Sequence, residues 1–368
     1  MHQSKGPVYY SQYLMLDTLL SAQEPLSRKF ATQENPEAHD EMLFIVVHQS
    51  YEIWFKQMLH DLNSVLEVFN KPVVQDQSFG MITNRLHRIT KIQTMILSYL
   101  DILETMTPME FLEFRNLLIP ASGFQSTQFR EIEIKLGLKT TDRESVDQEF
   151  FLGRLSAKDK DILVKLETEA SLFDLMEKWL ERTPYTNQDT FNFWEEYKKV
   201  IHTMLDTDRK TIETNAAGLT EENKKNQLEN LKVTEYTFLS LFDQDKHDEV
   251  VKAGKRKLSQ KAILNALFIL LYRDEPMLSL PHKMISLLMD IDENFTTWRY
   301  RHALMAQRML GSKIGTGGSS GHEYLKKAAD TNKAFKDLFN LSTYLLPKSL
   351  LPELPDHVKK QLNFQNVK

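Results

Sequence analysis

"DEMLFIVVHQSYEIWFKQMLHDLNSVLEVF", residues 40–69, brings large apolar side chains back every three or four positions. Phe44, Val47, Tyr51, Trp54, Phe55, Met58, Leu62, Val65 and Phe69 fall on one side of a 3.6-residue period. A half-buried strand would alternate at every second position, and this stretch does not. The spacing predicts an amphipathic helix of about eight turns with a polar outer face. The next segment repeats the pattern through Leu86, Ile89, Ile92, Ile96, Leu100 and Leu103 and must stop near Thr107. There, "TPME" (107–110) starts another helix, with Thr107 as N-cap, Pro108 at the first helical position and Glu110 completing a capping box. Phe111 and Arg115 then lie four apart on one face.

Outward from this core the same period continues. Helices are expected through 124–137, stopped by Gly137, and over 171–182 and 189–205. "SQKAILNALFILLYRDEP" (259–276) is apolar nearly all round, which predicts a buried central helix. A long helix is expected from Pro281 to Gly311, and a last packed one over 335–346. Alternating β-type runs are nearly absent and no repeat of fixed period occurs, so the fold class is all-α, a multi-helical bundle. Residues 1–368 read as one domain. Around 206–258 the chain holds a solvated helical insertion, rich in Glu, Lys, Asn and Thr between Asp206 and Tyr236.

Composition narrows the chemistry. With 41% hydrophobic and 26% charged residues the chain is an ordinary globular one. A net charge of -5, with Lys and Arg scattered, argues against a nucleic-acid partner. Cysteine is absent, which removes disulfides, zinc–thiolate sites, iron–sulfur clusters and thiol nucleophiles. The N-terminal "MHQSKGPVYYSQYL" lacks the apolar region of a secretory signal. The longest apolar run, "ALFILLY" (266–272), is far short of the roughly 20 residues that span a bilayer. The expectation is a cytoplasmic protein without a membrane partner.

Three features remain for function. The run "GTGGSSG" (315–321) follows the helical "WRYRHALMAQRMLG" (298–311). It is not a P-loop, because His322 and Glu323 follow Gly321, and it is not a dinucleotide turn, because it follows a helix. A flexible linker or a substrate-covering lid carrying the hydroxyls of Thr316, Ser319 and Ser320 remains. Among the histidines, His2, His39, His247, His282 and His357 have surface-like neighbours, whereas His48 and His302 each fall on an apolar helical stripe. Either could be a satisfied core histidine. A di-iron bundle site would need Glu-x-x-His pairs, and none occurs. A single axial imidazole on a Met- and Trp-lined face suits haem, whose porphyrin supplies the other four ligands. Arg115 could clamp a carboxylate beside the flat wall of Phe111, or simply snorkel from a helix surface.

Longer motifs make the comparison specific. "HDEMLFIVVHQSYEIWFKQ" (39–57), "ILETMTPMEFLEFRNLLIPASGFQSTQFR" (102–130), "LERTP" (180–184), "YRDEP" (272–276), "LLMDIDENFTTWRYRHALMAQRMLGSKIGTGGSSGHEYL" (287–325) and "DLFNLSTYLLP" (337–347) together resemble the tryptophan 2,3-dioxygenase family. The resemblance runs from "YYSQYLMLDTLLSAQ" (9–23) nearly to the C-terminus and is least distinctive over 140–260. Ser50 and His322 depart from the family pattern, and neither is a site position.

The resemblance implies a cytosolic, all-helical, homotetrameric enzyme holding one haem b per subunit. Such an enzyme inserts both atoms of O2 across the indole C2–C3 bond of L-tryptophan, giving N-formyl-L-kynurenine, the entry step of the kynurenine pathway. It implies that His302 is the proximal haem ligand and that His48 is the distal histidine hydrogen-bonded to the indole N–H. Phe44 and Phe111 would line the indole pocket, Arg115 would bind the carboxylate, and Thr316 would contact the amino-acid end. Tyr10 and Tyr13 would reach into a neighbouring subunit's pocket. Arg130 and Arg299 are candidates for haem propionate partners or for surface ion pairs. A haem-binding sensor or carrier on the same scaffold is the alternative, and a cofactor-free helical assembly protein is a third reading.

Overall fold

Each predicted apolar stripe becomes a helix in the computed structural model, which describes residues 6–140, 153, 155–182, 187–188, 191–214, 220–311, 313 and 322–362. Three short helices come first, α1 (Tyr10–Tyr13), α2 (Leu16–Leu20) and α3 (Leu26–Lys29). Then follow α4 (Glu41–Phe69), α5 (Ser78–Leu103), α6 (Pro108–Phe114) and α7 (Thr127–Leu136). The middle of the chain forms α8 (Ala157–Thr168), α9 (Leu172–Glu181), α10 (Phe193–Thr214), α11 (Glu221–Phe242) and α12 (Gln244–Lys252). The last part forms α13 (Gln260–Leu271), α14 (Pro276–Leu310), α15 (His322–Thr331), α16 (Lys336–Asn340) and α17 (Asp356–Leu362). Among the described residues the only sheet is an antiparallel pair of two-residue strands, β1 (Asn187–Gln188) and β2 (Phe191–Asn192). The fold is all-α.

The stripe that opens α4 buries Val47, Tyr51, Phe55, Met58, Leu62, Val65 and Phe69. Both α4 and α14 pack along α5, and α4 also packs on α7. That shared support is what brings His48 and His302 to the same region. The all-apolar α13 is indeed central: Ala262, Ala266, Leu267, Phe268 and Ile269 are completely buried. Each large side chain of this kind contributes about 1.5–3 kcal/mol by leaving water.

Buried carboxylates tie the chain ends to this core. Asp292 on α14 accepts the backbone N–H groups of Ala334 and Phe335 at 3.0 and 2.8 Å. Asp337 on α16 accepts those of Lys257 and Leu258, both at 2.7 Å. Glu41 accepts those of Leu26 and Ser27, both at 2.8 Å, and fixes α3 to the start of α4.

Several boundaries differ from the sequence reading: the helix expected over 189–205 runs on to Thr214, and the one expected over 335–346 is α-helical only over Lys336–Asn340 and continues as a 3₁₀ turn, Leu341–Tyr344. The helix expected from Pro281 begins at Pro276, leaving Pro281 inside α14. Pro276 takes the first helical position, where a missing N–H costs nothing, and Pro281 forfeits one intrahelical bond in a helix otherwise well packed. The helix expected at 189 starts at Phe193, because the Asn192 side chain accepts the Trp194 N–H at 3.1 Å and caps it. In the stretch read as an insertion, the described residues of 206–230 are mostly exposed. From Leu231 the chain packs back, burying Leu231, Phe238, Leu241 and Leu258.

Candidate active site

His48 lies two turns into α4, one turn after Phe44. Its Nδ1 is 2.7 Å from the Phe44 carbonyl oxygen. A carbonyl can only accept, so Nδ1 carries the proton and Nε2 is left with a lone pair. The Phe44 ring packs against the imidazole at 4.0 Å between centroids. Phe44 also meets Phe111 at 5.9 Å and Phe114 at 5.6 Å, and these two meet edge to face at 5.5 Å. Phe44 thus walls one side of His48, with Phe111 and Phe114 packed behind it.

The second wall is built by α14. His302 lies parallel to Trp298, one turn earlier, with centroids 5.1 Å apart and 10° between planes. Burial pushes the His302 imidazole down to about 4, and the nearby His48 adds to the shift. Burial likewise holds His48 below the ordinary 6.5, against the opposing pull of the Phe44 carbonyl and of Glu52. Both imidazoles are therefore neutral at pH 7. Both side chains nevertheless keep some accessible surface. Each is thus recessed without being sealed from solvent.

Phe111 and Arg115 come from α6, whose start follows the sequence reading closely. The Glu110 N–H donates to the Thr107 hydroxyl at 3.3 Å, and the Glu110 carboxylate accepts the Thr107 N–H at 2.6 Å. The helix passes into a 3₁₀ turn at Arg115, whose N–H still donates to the Phe111 carbonyl, so the two residues keep their one-turn spacing. Helix α6 packs on α14, and Phe111 reaches the Phe44 ring beside His48.

Not every candidate joins this group. Tyr10 and Tyr13 on α1 are 75% and 77% exposed, outside the aromatic cluster of their own chain. Thr316 and the glycine run lie outside the described residues. Arg130 and Arg299, read as propionate partners or surface ion pairs, are neither exposed nor surface-paired. Both are buried and meet on Glu133, Arg130 at 2.5 Å and Arg299 at 2.6 Å. Arg299 also donates to the Asn332 carbonyl at 2.9 Å. His247, read as surface-like, is buried with the Arg256 guanidinium donating to its Nδ1 at 2.9 Å. Charged neighbours in sequence said nothing about the tertiary partner.

Phe114, Tyr51 and Phe129 belong to this region without having been singled out for it. Phe114 is completely buried and closes the ring cluster, and its place three residues after Phe111 in a well-capped helix was the available signal. Phe129 packs on Trp298 at 5.2 Å from α7, a contact that no local pattern marks.

The donor set decides what metal chemistry the cleft can host. A cation held by side chains alone needs several ligands gathered together, and among the described residues no three His, Cys, Asp or Glu side chains gather in that way. A single neutral imidazole in an aromatic cleft instead suits a metal whose remaining ligands come with a macrocycle. The residues present fit haem, which the neutral imidazole of His302 would hold.

Fold and cleft define a class: an all-helical enzyme whose site is built from aromatic rings and two neutral imidazoles on separate helices. The chain belongs to the tryptophan 2,3-dioxygenase family, whose model matches residues 1–345. It is 47% identical to the tryptophan 2,3-dioxygenase of Alteromonas mediterranea, over 99% of each chain. It is 47% identical to that of Bdellovibrio bacteriovorus, over 97% of this chain and 98% of the relative. Against that of Dictyostelium discoideum the identity is 45%, over 97% of this chain and 88% of the relative.

Proposed function

We infer that this chain is a haem-dependent tryptophan dioxygenase that cleaves the indole C2–C3 bond of L-tryptophan with O2, giving N-formyl-L-kynurenine. The observation that carries the site reading is the tautomer of His48. With Nδ1–H engaged by the Phe44 carbonyl, Nε2 can accept one hydrogen bond, and an indole offers one N–H donor. The rings of Phe44 and Phe111 supply the flat apolar wall that an indole requires.

When bound at His302, haem b, one per subunit, supplies the redox-active iron that makes O2 reactive. Every other task falls to the chain. His302 holds the cofactor as a neutral donor. His48 accepts the indole N–H and so fixes the ring in the plane of reaction, a gain from proximity. Its depressed basicity suits holding a hydrogen bond and not removing a proton. Arg115 clamps the substrate carboxylate through two parallel hydrogen bonds, and Thr316 contacts the amino-acid end. Tyr10 and Tyr13 of a neighbouring copy close the pocket in a homotetramer. Residues 1–368 act as one domain, with a solvated helical insertion around 206–258. No helix among the described residues is long and apolar enough to cross a membrane, and we assign the enzyme to the cytoplasm.

The test is direct. Purified, haem-loaded and reduced protein given tryptophan in air should accumulate N-formylkynurenine, followed by its near-ultraviolet absorbance. A protein that takes up haem and O2 yet leaves tryptophan intact would be the sensor or carrier instead.

A further inference from the structure

The imidazole of His302 hangs from one side-chain torsion that is intrinsically broad, so something must choose its plane. Trp298 lies parallel to it at 5.1 Å, and Phe129 covers Trp298 at 5.2 Å. The Trp298 indole N–H reaches the Tyr51 hydroxyl at 3.4 Å, a long contact, and that hydroxyl donates to the Ile96 carbonyl at 2.8 Å. Tyr51 is buried, and burial pushes its hydroxyl up to about 12, so it keeps the proton it donates. The Trp298 ring is flanked by Phe55, Ile96, Phe129 and Phe295, which line the same small apolar cavity. Helices α7, α4 and α5 therefore converge on one ring carried by α14.

We propose that Trp298 and Tyr51 are positioning residues that set the plane of the His302 imidazole, with Tyr51 acting only through Trp298. Tyr51 follows His48 by three residues on α4, so one helix orients the substrate-side histidine directly and the iron-side histidine through the Tyr51 hydroxyl. The inference rests on the reading of His302 as the axial ligand. Partners that orient a metal's ligand typically change affinity or activity by about 10–100-fold when removed.

The test compares haem-loaded Tyr51→Phe, Trp298→Phe, their double variant and His302→Ala by resonance Raman spectroscopy of the reduced iron–histidine stretch, alongside kcat and KM. Both single variants should shift or broaden the band and lower kcat about tenfold with KM for tryptophan unchanged. The double variant should go no further than Trp298→Phe alone, because the two act in series. An unmoved band in both singles, or shifts that add, overturns the proposal. His302→Ala should lose the band altogether, and a surviving band there would overturn the axial-ligand reading instead. Tyr51→Phe keeps its ring and its packing, so it decides the question alone should Trp298→Phe not fold.

Discussion

A histidine that must accept a hydrogen bond at neutral pH needs one nitrogen occupied as a donor and the other kept unprotonated. His48 meets both needs through the Phe44 carbonyl and through burial. Because its folded pKa is depressed, the neutral form persists as pH falls through 6.5, and kcat/KM should stay level there. An acid limb centred at or above 6.5 would contradict the assignment. His48→Ala should lower turnover by about a hundredfold, since the indole loses its orientation, while the Soret band is retained. Arg115→Ala should raise KM by one to two decades, equivalent to about 1.5–3 kcal/mol of charge-assisted hydrogen bonding. Tryptamine used as readily as tryptophan would remove the reason for that residue. The two histidines were legible in sequence because a helical stripe marks its inward positions by period alone. Arg299 and His247 were not: Arg299 finds Glu133 across 166 residues, a pairing set by how α7 and α14 dock. Nothing within a turn of either residue encodes it.

At the scale of an element, α6 shows how local chemistry positions a remote function. Its capping box satisfies two backbone donors reciprocally at Thr107 and Glu110. That fixes the helix start, and through it the direction in which Phe111 and Arg115 leave the backbone. Thr107→Ala should cost about 1 kcal/mol of stability, read from the urea midpoint at unchanged slope. It should also raise KM more than it lowers kcat, since α6 carries the proposed substrate contacts, Phe111 and Arg115, and not the proposed iron ligand. A stability loss with KM unmoved would mean that α6 is held by its neighbours and not by its cap. This start was readable from four residues because the motif is self-contained. The start of α14 was not, since a proline at 281 reads as a first helical residue until Pro276 is seen to occupy that position. The stop at Gly137 was readable for a sound reason. It takes a φ of +126°, and an added Cβ would lie 2.6 Å from Phe173 Cβ, so a side chain is excluded by conformation and by space together.

At the scale of the whole molecule, one chain leaves an unusual amount of aromatic and aliphatic surface bare at its start. Tyr9, Tyr10, Tyr13, Met15 and Leu20 are between 64% and 77% exposed on α1, α2 and the residue before them. Large apolar side chains left this bare over one short segment mark a surface that a partner would cover. We propose, on the family resemblance, that the partner is a neighbouring copy whose substrate pocket this segment enters. On that reading the cleft between His48 and His302 is completed only in the assembly, and substrate affinity depends on the oligomer. Tyr10→Ser combined with Tyr13→Ser should therefore lower the mass seen in sedimentation and raise KM for tryptophan together. Haem content should not change, because His302 and its supports lie within one chain. Unchanged mass with unchanged KM would detach the segment from both roles. A lower mass with unchanged KM would leave it a purely assembling element, and the pocket would then have to be closed by residues of its own chain.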